Sequence, residues 1–160
     1  MISDYMSDSP DRERTRLQLH EINALIKECN AIYSEFAKRS GLSDCAFWLL
    51  YSIREADGKC TQKEIGNQWA ISKQTINSAL KGLEKNGYVT LRPAEADKRS
   101  KYIILTAKGS KFAQENIDSI FELEQFAFQK MSDAERTALV EGSRRYNELL
   151  RTEAERFLRR

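Results

Sequence analysis

Apolar residues recur every three or four positions through Ile22, Leu25, Ile26, Cys29, Ile32, Tyr33 and Phe36, which is the spacing of one helix face. A long helix is predicted over Arg14–Ser40, ended by Gly41. Ser43 is placed to cap a second helix, from Asp44 to about Glu55. There Phe47, Trp48, Leu49, Leu50, Tyr51 and Ile53 leave hardly any polar side. A helix apolar nearly all round is buried on more than one side. Asp57-Gly58 turns the chain, and Lys59-Cys60 can form a short strand.

The pattern then tightens. Thr61-Gln62-Lys63-Glu64 has the form of a capping box at the head of a short helix. Ile65 and Trp69 share one face of it. Ser72 suits the N-cap of the run Lys73 to Asn86, in which Ile76, Ala79, Leu80 and Leu83 form the apolar stripe. Gly87 follows as the left-handed residue beyond its end. Strand character begins at Tyr88, Val89 and Leu91 and returns at Tyr102–Leu105, with a charged, turn-rich tip over Pro93–Ser100. From Thr106 a second long helix is expected to about Lys130. Ser132-Asp133-Ala134-Glu135 then opens a final helix carrying Leu139, Tyr146, Leu149, Leu150, Phe157 and Leu158.

These elements predict a mainly α chain with a small β-wing: a winged helix-turn-helix flanked by N- and C-terminal dimerisation helices. Residues 1–12 read as a flexible arm, 41–106 as the DNA-binding region, and 13–40 with 107–160 as the helical dimerisation region, all in a single structural domain. The flanking helices carry more apolar surface than the short winged helix can cover, and a two-fold homodimer is the economical way to bury it.

Charge sharpens this picture. The chain of 160 residues has a net charge of +2. Between Lys59 and Lys111, however, eleven cations face four anions, a net of +7 that leaves −5 for the remainder. A polyanionic partner for that segment follows from Coulomb attraction and counterion release. On the helix after Ser72, the residues Ser72, Lys73, Gln74, Thr75, Asn77 and Ser78 occupy the first two turns, where helix-turn-helix proteins reach bases. Gln74 and Asn77 can pair with adenine, and Lys73 can reach guanine. Lys81 lies further along and suits a phosphate. Arg99 falls near the wing tip, and a guanidinium there suits a narrow minor groove.

The order Gly41-Leu42-Ser43, Thr61-Gln62-Lys63-Glu64-Ile65, Leu80-Lys81-Gly82-Leu83-Glu84-Lys85-Asn86-Gly87-Tyr88-Val89 and Asp97-Lys98-Arg99-Ser100, then Leu105-Thr106-x-x-Gly109, resembles the MarR family of transcriptional regulators. The resemblance runs from about Leu17 to Leu158 and is most specific at the wing. It departs at Asp44 and Ala46, where many members carry Pro and Gln. It implies a homodimer on double-stranded operator DNA, with Asp97 orienting Arg99. It also implies repression relieved by a small aromatic or phenolic effector bound between the dimer layer and the DNA-binding lobe. Tyr33, Phe36, Phe47, Trp48, Tyr51, Arg54 and Trp69 are the candidates to line such a pocket, although most such residues are equally suited to plain core. Other members sense oxidants through a cysteine near the start of the first long helix, where this chain has none.

Among the three cysteines, Cys60 lies beside Lys59 and Lys63. Cationic neighbours favour the thiolate, which makes Cys60 the redox candidate. Cys29, Cys45 and Cys60 match no metal spacing and read as reduced thiols of a cytoplasmic protein. His20 is the single histidine, more often a surface or packing residue than a switch. There is no Ser-His-Asp order and no Gly-rich phosphate loop, so neither an enzyme nor a cofactor is expected. No apolar run approaches the roughly 18 residues of a membrane span, and no signal-peptide core stands at the N-terminus. The readings in competition with a ligand-released regulator are a thiol-based regulator and a winged-helix module that binds protein.

Overall fold

The computed structural model describes residues 10–69, 72–93 and 101–159. The elements run α1 (Pro10–Ser40), α2 (Asp44–Glu55), β1 (Lys59–Thr61), α3 (Gln62–Trp69), α4 (Lys73–Lys85), β2 (Val89–Pro93), β3 (Lys101–Leu105), α5 (Ala107–Asn116), α6 (Asp118–Lys130) and α7 (Asp133–Leu158). They fall into two compact units, Met1–Asn116 and Ile117–Arg160.

Helix α2 is the centre of the first unit. Phe47, Leu49, Leu50 and Ile53 have no exposed surface. The helix packs on α1, α4, α5, β1 and β3, as its all-round apolar pattern demands. Ser43 caps it, its side chain accepting from the Ala46 N–H. Beside it lies a three-stranded antiparallel sheet in the order β1-β3-β2. The expected strand at Lys59-Cys60 is present and pairs Cys60 with Ile103. The wing hairpin pairs Val89 with Leu105 and, at its far end, Pro93 with Lys101. Pro93 was expected in the tip but ends β2, an edge strand that tolerates a missing donor.

The connection from α4 to α5 is drawn tight around Thr106. Its hydroxyl donates to the Gly87 carbonyl at 2.6 Å and accepts from the Gly109 N–H at 2.9 Å. Gly87 has φ +73°, the left-handed conformation that favours glycine. Tyr88 stacks on Phe112 with ring centroids 4.5 Å apart. Gly109 lies so close to Tyr88 that a Cβ there would stand 1.8 Å from the Tyr88 carbonyl oxygen.

Two expectations change. The arm over 1–12 is shorter from its far end, because Pro10 already opens α1. Proline is pre-organised for a first helical position, and Asp11 and Glu13 complement the positive end of the helix dipole. The remainder of that arm, 1–9, lies outside the described residues. The long helix expected from Thr106 to Lys130 is interrupted at Ile117, which has φ −109° and ψ −43°. Just before it the Asn116 side chain donates to the Phe112 carbonyl at 2.9 Å, competing with the helix ladder for that acceptor.

In the second unit, Ser132 and Glu135 form a complete capping box at the start of α7. Arg136 donates to the Met131 carbonyl at 2.6 Å. None of the described residues of α7 is buried. The described ion pairs lie within single helices and face solvent, where such pairs add little.

The contact at Gly109 yields a test. Gly109→Ala must push the Tyr88 backbone aside and is expected to cost about 1–3 kcal/mol, the range of an overpacked core. Urea unfolding followed by circular dichroism measures this, and an unchanged midpoint would show that the contact opens freely.

Candidate nucleic-acid interface

Helix α4 has two faces. Ile76, Leu80 and Leu83 are buried, while Lys73, Gln74, Asn77, Ser78 and Lys81 stand exposed. Its start is held by Ser72, whose side chain accepts from the Thr75 N–H at 3.2 Å. The Thr75 and Ser72 hydroxyls are 2.7 Å apart and hydrogen-bonded. Ser72 and Thr75, both expected to face DNA, therefore have their hydroxyls engaged in the cap. At the other end Lys108 donates to the Asn86 carbonyl at 2.7 Å, a cation placed on the negative end of the helix.

Helix α3 supports α4 from the side. Its capping box is formed, with the Thr61 N–H donating to Glu64 at 2.6 Å and the Glu64 N–H donating to Thr61 Oγ1 at 3.3 Å. The Thr61 N–H and hydroxyl, both donating to the Glu64 carboxylate, hold that carboxyl below its ordinary range. From the first position of α3, Gln62 Nε2 donates to Asn77 Oδ1. Sequence reading missed Gln62, since within the capping box it is merely the residue after the cap. On the opposite flank, Thr75, Ser78 and Gly82 share a cleft of 380 Å3 with Gly41, Ser43 and Cys45.

The wing carries Arg92 and Lys101 at its described end, both exposed. Asp97 and Arg99 lie outside the described residues. Lys59 at the start of β1 sits over the Tyr102 ring, its Nζ 3.9 Å from the centroid.

Five of the seven candidate pocket residues, Tyr33, Phe47, Trp48, Tyr51 and Trp69, form a packed group of rings. Trp48 is the hub, with ring centroids 4.9 Å from Tyr33, 5.8 Å from Phe47, 5.3 Å from Tyr51 and 4.5 Å from Trp69. Trp69 Nε1 donates to Ser52 Oγ at 2.5 Å. Phe47 and Tyr51 are buried, whereas Tyr33, Phe36, Trp48, Arg54 and Trp69 keep part of their surface. None of the seven lines the cleft under α4 or a second cleft of 280 Å3 between α2 and α3.

Cys60 is corrected. It is 6% exposed, and burial together with the Glu64 carboxylate pushes its thiol up to about 12. Lysines adjacent in sequence do not offset desolvation, so the thiolate that oxidation requires is suppressed. Cys29 is the exposed cysteine. Cys60 is accordingly expected to resist iodoacetamide at pH 8 in native protein and to react only after unfolding. Mass spectrometry of the labelled peptides reads this difference, and early labelling of Cys60 would restore its candidacy.

No helix among the described residues is long and apolar enough to cross a membrane. No group of three or more His, Cys, Asp or Glu that could hold a metal ion occurs among the described residues.

A helix-turn-helix with an exposed polar second helix and an adjoining antiparallel hairpin defines a winged-helix DNA-binding protein. Residues 40–100 match the model of the MarR family, a family of DNA-binding transcriptional regulators. It is 29% identical over 120 residues to the uncharacterised HTH-type transcriptional regulator YwoH of Bacillus subtilis, covering 75% of this chain and 86% of that protein. Its fold is similar to that of NMB1585, a MarR family regulator from Neisseria meningitidis, with TM-score 0.73 and 24% identity over 87% of this chain and 97% of that one. It is also similar to Bordetella bronchiseptica BpsR, whose DNA binding is regulated by 6-hydroxynicotinic acid, with TM-score 0.61, 20% identity and coverage of 80% and 91%.

Proposed function

We propose that the chain is a cytoplasmic homodimeric repressor of a near-palindromic operator, released when a small aromatic or phenolic ligand binds. The observation that carries its DNA reading is the exposed row Lys73, Gln74, Asn77, Ser78 and Lys81 on α4, opposite a buried stripe that seats the helix. Laid in the major groove, Gln74 and Lys73 meet base edges and Lys81 meets phosphate. The proposed minor-groove contact of Arg99, and its orientation by Asp97, rest on the sequence motif alone.

Dimerisation is supported by each unit separately. In α1, Leu17, Leu25 and Ile32 are 56%, 53% and 51% exposed. In α7, Leu149, Leu150 and Phe157 are 47%, 52% and 61% exposed. Apolar helix faces of this extent mark an interaction surface, and a second copy presents the same faces for two-fold pairing. A two-fold dimer reads two half-sites roughly 34 Å apart, one turn of DNA. For the effector, the half-exposed edges of Tyr33, Trp48 and Trp69 offer ring surfaces to an aromatic ligand. BpsR is a regulator of the same fold whose DNA binding responds to an aromatic acid.

Selection from random duplex DNA at two salt concentrations tests this reading. A paired motif with half-sites one turn apart is expected, its affinity falling steeply with salt as phosphate contacts are screened. Enrichment of no motif, or a monomer in light scattering at micromolar concentration, would overturn the dimeric repressor and point to a protein partner.

On the selected site, Arg99→Ala is expected to weaken binding markedly without loss of fold. Gln74→Ala is expected to change base preference by about 1–3 kcal/mol at one pair, whereas Lys81→Ala lowers affinity evenly across sequences. Titrations on matched and mismatched duplexes separate these outcomes, and unchanged affinity for Arg99→Ala would remove the wing contact.

A further inference from the structure

We infer that Asn77 reads its base as a hydrogen-bond donor and that Gln62, at the start of α3, is the positioning residue that sets this polarity; the inference rests on the docking of α4 proposed above. An asparagine carboxamide carries one acceptor oxygen and one donor NH2. Free on a recognition helix, it pairs with adenine through both, giving a hydrogen to N7 and accepting one from N6. Asn77 is not free in this way. Gln62 Nε2 donates to its Oδ1 across fifteen residues of sequence, joining the two helices of the helix-turn-helix. The oxygen is held against α3, and the NH2 on the other arm of the amide is the group left for DNA.

Both ends of this bond are on anchored backbone. Gln62 follows a formed capping box, in which the Thr61 N–H donates to Glu64 at 2.6 Å. Asn77 lies in the turn after the Ser72 cap. A side chain whose orientation is fixed before binding loses less freedom on binding and tolerates fewer partners. Lys73, which is placed to reach a base, lies four residues before Asn77, on the same line of the helix surface. With the Asn77 oxygen engaged, that line presents donors throughout. Its complement in the major groove is a run of acceptors with no donor beside them: guanine N7 and O6 and thymine O4. Cytosine offers only its N4 donor there and is the base most strongly refused.

The test is selection from random duplex DNA with the full chain and three variants, Asn77→Ala, Gln62→Ala and Gln62→Glu, each checked for fold by circular dichroism. Asn77→Ala identifies the half-site position that this residue reads. At that position the wild type is expected to enrich guanine or thymine over cytosine by about five- to tenfold, the scale of a good base contact. Gln62→Ala releases the oxygen and shifts the preference toward adenine. The carboxylate of Gln62→Glu can only accept, so it takes the Asn77 NH2, turns the oxygen to the groove and reverses the preference toward adenine and cytosine. A residue that merely stabilised α3 would not produce that reversal. If both Gln62 variants keep the wild-type preference at that position, or if the wild type selects adenine there, the inference is overturned. If the wild type enriches no motif at all, the docking of α4 is refuted, and this inference falls with it.

Discussion

The burial of α2 is the constraint on which the first unit depends. Its core residues are sealed completely, and its neighbours are the long helix α1, the recognition helix α4, the opening of α5 and two strands of the wing sheet. An amphipathic helix can shift along its partner at modest cost. A helix that is apolar on all sides must be enclosed by several elements at once, and each fixes the next. The orientation of α4 and the base of the wing are thus consequences of burying one twelve-residue segment.

Seated in this way, α4 can leave its outer face polar without loss of position. Its stripe of Ile76, Leu80 and Leu83 supplies the anchoring, and the caps at Ser72 and Lys108 satisfy its ends. The exposed residues proposed to meet DNA are therefore free of any duty in the core. This separation allows members of one fold to change sequence preference by exchanging exposed side chains while the scaffold stays the same. The Gln62–Asn77 bond qualifies that freedom, because it couples one reading side chain to the supporting helix.

The two ends of the chain are governed by a different requirement. Helix α7 opens on a complete capping box, yet the apolar residues of both α1 and α7 stay largely exposed. Isolated helices draw most of their stability from packing, and such faces call for a partner of matching shape. In the dimer proposed above, a second copy supplies one. The aromatic cluster around Trp48 lies where α1, α2 and α3 meet. A ligand wedging its rings apart would act on the supports of α4, which gives release a physical route.

The sequence by itself determined the elements and their ends. Capping at Ser43, Thr61, Ser72 and Ser132, the stops at Gly41 and Gly87, the buried stripe of α4 and the third strand at Lys59–Thr61 were all legible. Each depends on residues within about four positions of one another, which a periodic pattern records directly. The break at Ile117 was not legible, because it turns on an Asn116 side chain choosing a backbone acceptor. Tertiary structure alone decided the character of Cys60, whose lysine neighbours in the chain matter less than burial and Glu64. It likewise decided that Asn77 is partnered by Gln62 and that the candidate pocket rings stack on one another around Trp48. Local geometry follows from the order of residues along the chain, whereas protonation and side-chain partners follow from distances through space, which only the folded chain establishes.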